Sequence, residues 1–165
     1  MDLIPSRWRQ SGGTRRVTFL LAFLVVAADQ IVQTTAYRQV ALLDELWVTP
    51  WLALSWQSGN PAQPLIGATY AIWVGVSVAV LVGIAAIIRR QGVSFSALQI
   101  LAFGCLLGGT AGHLVDLLRW GHLVATLHIA VPVWGVDTHT GLAKLAQWLG
   151  LIGLGVNLLT RRRPR

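Results

Sequence analysis

Four long apolar runs dominate this sequence and leave few folds open to it. They cover residues 17–36, 65–88, 95–118 and 140–160. Each has about the 20 residues that a helix needs to cross a hydrocarbon core of roughly 30 Å. The composition agrees, since 55% of the residues are hydrophobic and 12% are charged, which is too apolar for an ordinary soluble domain. We therefore predict an all-α membrane protein with four transmembrane helices in a single domain, residues 17–160.

The first run raises an alternative, because it follows a basic segment as the core of a secretory signal peptide does. Asp29, Gln30 and Gln33 lie inside the run and are poor residues for a cleaved leader. The run is also long enough to span the membrane. We therefore predict that it is retained as a transmembrane helix.

The basic residues predict the topology. Ten of the 13 Lys and Arg residues lie in the tail 1–16, the turn at 89–90 and the tail 161–165. With four helices these regions share one side, and the positive-inside rule makes that side cytoplasmic, with both termini. The net charge of +7 is thus confined to short clusters and forms no basic stripe for nucleic acid. Membrane lipid is the expected surrounding, and no nucleic-acid partner is predicted.

Two outward-facing connections follow from this topology, at residues 37–64 and 119–139. Within the first, the alternating sequence WLALSWQ at 51–57 predicts a short strand, followed by a turn. The prediction is thus a four-helix bundle with a small outward-facing loop and strand region.

Polar residues in three of the apolar runs converge at one predicted depth, in the outward half of the membrane. Asp29 and Gln33 share a helix face at spacing i, i+4, and His113 and Asp116 do so at i, i+3. Lys144 enters at the same depth, about one turn into the fourth helix. Ionisable groups in a membrane are costly and need partners. Both a functional site and a structural cluster are compatible with this pattern.

The histidines are the other candidates for chemistry. His113, His122, His128 and His139, with two aspartates, could in principle bind a metal, but no pair has HxxxH spacing and no Cys is nearby. We predict no metal and no cofactor. His122, His128 and His139 are interpreted as solvent-exposed loop residues.

The four-helix arrangement and several motifs resemble the lipoprotein signal peptidases (signal peptidase II) of bacterial membranes. The third helix of that family ends GGxxGNxxDRxRxGxVVDF, and residues 108–126 follow this motif in register. They keep the glycines, Asp116 and Arg119, with His113 for the Asn. The small residues Gly108 and Gly112 also fit close helix packing. The first helix of the family carries DQxxK, of which Asp29 and Gln30 are kept.

The departures from the family pattern include the residues that would carry out catalysis. Gln33 replaces the Lys of DQxxK, and the outward Asn-x-Gly motif is reduced to Gln57-Ser58-Gly59. The resemblance implies an aspartic peptidase whose two carboxylates share a proton, one activating water and the other protonating the substrate carbonyl. The positions that match these two acids hold Ala125 and Lys144.

The resemblance therefore implies a membrane protein that keeps the peptidase frame and lacks its chemistry. Such a protein would bind a lipidated prolipoprotein, a transmembrane peptide or another membrane protein in the cytoplasmic membrane. Lys144 is predicted to form an ion pair with Asp116 or Asp29, so that its loss would cost about 3–5 kcal/mol. Two alternatives stay open: an active aspartic peptidase that uses Asp116 and Asp137, and a His/Asp metal or redox membrane protein. The predicted polar cluster comprises Asp29, Gln30, Gln33, Gln57, Gly59, His113, Asp116, Arg119 and Lys144.

Overall fold

Four long helices and a four-stranded antiparallel sheet make up the protein. The computed structural model describes residues 6–40, 45–58, 67–90 and 95–161. The helices are α1 (Ser6–Val40), α2 (Ala68–Arg90), α3 (Ala97–Trp120) and α4 (Leu142–Arg161). The strands are β1 (Glu45–Thr49), β2 (Leu52–Ser58), β3 (Val124–Val131) and β4 (Val136–Thr140). All four helices are long and apolar enough to cross a membrane, which confirms the predicted fold class.

Helix boundaries differ from the apolar runs for local reasons. α1 begins at Ser6, inside the stretch predicted as a tail. α3 begins later than its apolar run, because Ser96 caps it in a capping box with Gln99. Its other end is closed by Gly121, whose left-handed φ of 74° lets its N–H bond to the Leu117 carbonyl.

α3 is the central helix, and glycines let its neighbours approach closely. It packs against α1, α2 and α4. A Cβ on Gly108 would lie 2.7 Å from Cβ of Val25 on α1. On the other side, a Cβ on Gly109 would overlap the Ala143 carbonyl oxygen of α4. Gly108 therefore allows the close helix packing that was predicted, with α1 as the partner helix. The adjacent Gly109 allows the close approach of α4.

The sheet lies at one end of the bundle and is larger than the sequence predicted. Its strands run in the order β1-β2-β3-β4, so each strand pairs with the next in the chain. Only β2 was predicted; β3 and β4 form a hairpin around a 3-10 turn at Pro132–Trp134 in the stretch predicted as a loop. The β3–β4 hairpin connects α3 to α4. It therefore holds the end of α3 and the start of α4 at the sheet.

An aromatic cluster joins the sheet to the helix ends. The ring of Trp56 on β2 lies 5.1 Å from that of Tyr37 on α1 and 5.1 Å from that of Trp120 on α3, centroid to centroid. The Arg119 guanidinium stacks 4.7 Å from the Trp120 ring. Trp and Tyr favour the boundary between lipid and water, which is consistent with a sheet at the membrane surface.

Candidate functional site

Two buried carboxylates from different helices are joined by a glutamine side chain. Asp29 on α1 and Asp116 on α3 have relative exposures of 0% and 1%. Nε2 of Gln33 donates to Asp29 Oδ2 at 2.8 Å and to Asp116 Oδ1 at 2.6 Å. Asp29 Oδ1 also accepts from the backbone N–H of Ala143 at 2.9 Å. One hydrogen-bond network therefore ties α1, α3 and α4 together.

A second layer of this network lies nearer the surface. Nε2 of Gln30 donates to Asp116 Oδ1 at 3.2 Å, and its Oε1 accepts from Nη1 of Arg119 at 3.2 Å. Buried polar groups require such partners, since an unsatisfied one costs about 1–3 kcal/mol and a charged one more. Of the predicted cluster, the network holds Asp29, Gln30, Gln33, Asp116 and Arg119.

Lys144 does not belong to this network, so the predicted ion pair is absent. Within the described part of the chain, Lys144 forms no ion pair with Asp116 or Asp29. Instead, the backbone N–H of the neighbouring Ala143 donates a hydrogen bond to Asp29. Adjacent residues of a helix point about 100° apart. The Lys144 side chain therefore points away from Asp29, and it lines a cavity.

Lys144→Met is therefore expected to change the free energy of unfolding by less than about 1 kcal/mol, as for exposed side chains outside a network. Denaturation of the purified protein in detergent measures this. A loss of 3 kcal/mol or more, as expected for breaking a buried pair, would contradict the observed geometry.

The cavity has a volume of about 830 Å³ and lies between α2 and α4, which both pack on α3. Its wall is largely apolar, formed by Trp73, Val76, Val80, Leu117, Trp148 and Leu151. Polar side chains also line the cavity: Ser77, Thr110, His113, His139, Thr140, Lys144 and Gln147. Ala125 of β3 lines the same cavity. Among the described lining residues none is Asp or Glu, and Lys144 is the only Lys or Arg.

Asp116 and Asp137, the alternative carboxylate pair, lie in different surroundings. Asp116 is buried in the hydrogen-bond network, whereas the Asp137 side chain on β4 is 78% exposed. The partners of Asp116 are Gln33 and Gln30, and that of Asp137 is His128. Neither carboxylate lines the cavity.

The interpretation of the three later histidines as exposed loop residues is wrong for His128 and His139, which lie in strands, whereas His122 lies in the loop between α3 and β3. His122 and His139 are half-buried, and the His128 side chain is 12% exposed. His128 on β3 and His139 on β4 are directly paired across the hairpin, and their rings stack with centroids 4.2 Å apart. Cross-strand pairing, which brings Cβ atoms within about 5.5 Å, has therefore buried them against each other.

Acidic neighbours flank His128. Its Nε2 lies 2.7 Å from Asp137 Oδ1, and its Nδ1 lies 2.8 Å from Glu45 Oε1. The hydrogen bond to Asp137 and the nearby Glu45 carboxylate raise the pKa of His128 above its ordinary value. These contacts join β1, β3 and β4.

Two residues of the predicted cluster cannot be placed at the site. The backbone of Gln57 pairs with Ala125 across β2 and β3, and its side chain lies outside the described structure. Gly59 lies outside the described residues.

A family model described as Signal peptidase (SPase) II matches residues 21–148 of this sequence. The chain belongs to the signal peptidase II family. The match covers α1 from residue 21 onwards, α2, α3, the sheet and the first turns of α4. These elements include the network and most of the cavity lining. Signal peptidase II proteins act on lipoprotein precursors in a membrane.

Two solved structures share this fold. Both are described as bacterial membrane enzyme structures by the in meso method, at 2.3 Å and 1.9 Å resolution. The first has a TM-score of 0.71 and 18% identity, over 90% of this chain and 92% of the other. The second has a TM-score of 0.70 and 20% identity, over 86% of this chain and 92% of the other. Among curated proteins, none matches the sequence.

Proposed function

We propose that this member of the signal peptidase II family is non-catalytic and binds a lipid-modified or transmembrane peptide in its cavity. The observation that carries this proposal is the absence of any carboxyl group from the described cavity lining, where Ala125 and Lys144 stand at the positions matching the two family acids. The proposed location is the bacterial cytoplasmic membrane, with both termini cytoplasmic.

Acid–base chemistry supports the non-catalytic assignment. Peptide hydrolysis by an aspartic peptidase needs one carboxylate to activate water and one carboxylic acid to protonate the carbonyl. Ala125 has no titratable group, and a Lys144 ammonium cannot serve as the carboxylate base. Asp29 and Asp116 are held by Gln33 outside the cavity, so they are not placed to replace the missing acids.

The shape and polarity of the cavity support binding. A volume of about 830 Å³ lies within the range typical of ligand pockets, about 300–1,000 Å³. The apolar wall between α2 and α4 suits acyl chains or an apolar helix. Lys144 and His113 line the same cavity and supply polar groups that could hold the polar head of a lipid-modified peptide.

The decisive assay presents a diacylglyceryl-modified prolipoprotein to the unmodified protein in detergent or nanodiscs. We expect saturable binding and no release of the mature lipoprotein. Cleavage by the unmodified protein would overturn the non-catalytic assignment and revive the alternative in which Asp116 and Asp137 act together.

A matched pair of variants on α2 tests where the peptide binds. Val80 lines the cavity, whereas Val82 is 62% exposed and does not. Val80→Trp fills part of the cavity and is expected to weaken binding at least about tenfold, equivalent to 1.4 kcal/mol. Val82→Trp adds the same bulk away from the cavity and should leave the affinity unchanged. Equal affinities of the two variants would place the peptide elsewhere.

A further inference from the structure

One face of the sheet collects residues that could bind a metal. Glu45 pairs with Ser55, and Ala53 pairs with His128, which in turn pairs with His139. Side chains that are paired directly, or lie two residues apart on a strand, share a face. Glu45, His128 and His139 therefore project from the same side, although they belong to three strands and are far apart in sequence.

The central strand leaves room for these side chains to meet. Ala53 and Ser55 are the β2 residues beneath the cluster, and both are buried. Because they are small, Glu45 of β1 reaches over β2 and approaches Nδ1 of His128 to 2.8 Å. One donor atom from each of Glu45, His128 and His139 lies within 4.8 Å of the other two.

We propose that Glu45, His128 and His139 bind a divalent transition-metal ion. Two imidazoles and one carboxylate form a ligand set that suits Zn²⁺. Three protein ligands leave the fourth tetrahedral position for water. Tetrahedral Zn²⁺ bonds of about 2.0–2.2 Å put ligand atoms roughly 3.4 Å apart. Side-chain rotations that move the ligand atoms by about 1 Å would therefore bring the three residues to bonding distance of the ion.

Hydrogen bonds around the three ligands support this assignment. Asp137 Oδ1 lies 2.7 Å from Nε2 of His128, on the side of the ring away from Glu45. Ser55 Oγ lies 3.2 Å from Nδ1 of His139. Histidine ligands usually have their second ring nitrogen held by a carboxylate, a carbonyl or water, which orients the ring and raises its basicity. Here the ion would lie between His128 Nδ1 and Glu45 Oε1, which approach each other to 2.8 Å.

This site shares only His139 with the described cavity lining, and Glu45 and His128 lie outside that lining. A bound ion would join the edge strand β1 to the β3–β4 hairpin, and it requires no substrate. It also gives a chemical role to histidines that the peptidase frame does not use. No HxxxH spacing marks this site, because the ligands are brought together by strand pairing rather than by a helix.

Metal titration of the full chain tests the proposal. The protein is purified without a polyhistidine tag, stripped with a chelator, and titrated with Zn²⁺ against a chromophoric competitor, at a pH well above the ordinary imidazole pKa of about 6.5. We expect one Zn²⁺ per chain. Loading with Co²⁺ should give the intense visible absorption typical of tetrahedral coordination.

Four variants distinguish this cluster from general histidine binding. Glu45→Gln and His128→Gln each remove a ligand and should weaken binding on the order of 100-fold or more. Asp137→Asn keeps all three ligands and should weaken binding about 10–100-fold, as expected when a supporting hydrogen bond is lost. His122→Gln is the matched control, because His122 lies outside the cluster, and should bind as the unmodified protein does.

The proposal is overturned if the unmodified protein binds no stoichiometric Zn²⁺, or if His122→Gln weakens binding as much as His128→Gln. Helix content from circular dichroism identifies any variant that fails to fold. If the ligand variants do not fold, the Asp137→Asn variant tests the proposal. An unchanged Zn²⁺ affinity in that variant contradicts the assigned ligand arrangement.

Discussion

Gln33→Leu is expected to lower the free energy of unfolding in detergent by about 3 kcal/mol. Leu has a similar volume but donates no hydrogen bond, so two carboxylates that are almost completely buried each lose their shortest side-chain partner. A buried acceptor left unsatisfied costs about 1–3 kcal/mol. The remaining bonds from Gln30 and from the Ala143 N–H keep the expected loss below the full cost of two stranded charges. Chemical or thermal denaturation of the purified protein measures the change.

Two further substitutions show whether the loss comes from the carboxylates. Gln147 donates a single hydrogen bond to the Thr110 hydroxyl at 3.2 Å, so Gln147→Leu should cost only about 1 kcal/mol. Gln33→Lys restores the residue of the family motif and supplies a cation that can bond both carboxylates. It should be nearly as stable as the unmodified protein. A Gln33→Leu protein as stable as the Gln147→Leu protein would show that the network contributes little.

Gly109→Ala is the second substitution with a large expected effect. The added methyl group would overlap the Ala143 carbonyl oxygen and lie 2.7 Å from Cγ of Gln147. The first of these is a backbone atom, so relief requires α3 and α4 to separate. Overpacking typically costs 1–3 kcal/mol, and we expect about 3 kcal/mol here. Thermal denaturation in detergent checks this value.

The control for Gly109→Ala lies in α2. A Cβ on Gly75 or Gly83 meets no atom within 4 Å. Ala is favoured over Gly in a helix by about 1 kcal/mol, so Gly75→Ala should be neutral or slightly stabilising. Equal behaviour of Gly109→Ala and Gly75→Ala would contradict the close approach of α3 and α4.

Local sequence predicted the four helices well, but only one of the four strands. The number of helices follows from hydropathy and length, which act over about 20 neighbouring residues. The capping box of α3 is also a local signal, since Ser96 and Gln99 are three residues apart, although it was not used in the prediction. The glycines of α3 were recognised as packing residues, because small residues at helix spacing permit close approach wherever the partner comes from.

Contacts between distant residues were predicted less well. Opposite charges suggested an ion pair for Lys144, but whether residue 143 or 144 faces Asp29 depends on the rotation of α4 about its own axis. That rotation is set by packing against α3. The histidine cluster depends on strand register, which the turn at Pro132–Trp134 fixes. Neither quantity can be obtained from spacing along the chain.

The bond between Asp29 and the Ala143 N–H has a consequence for biogenesis. Asp29 lies on α1, which is synthesised before α4, and the backbone N–H that bonds its Oδ1 belongs to Ala143 near the start of α4. Until α4 is inserted, α1 carries an incompletely paired carboxylate in a bilayer, where such a group costs at least about 2.5 kcal/mol. Because α4 follows α3 and the sheet in the chain, α1 reaches its lowest free energy in the bilayer only after all of these elements have been synthesised and inserted.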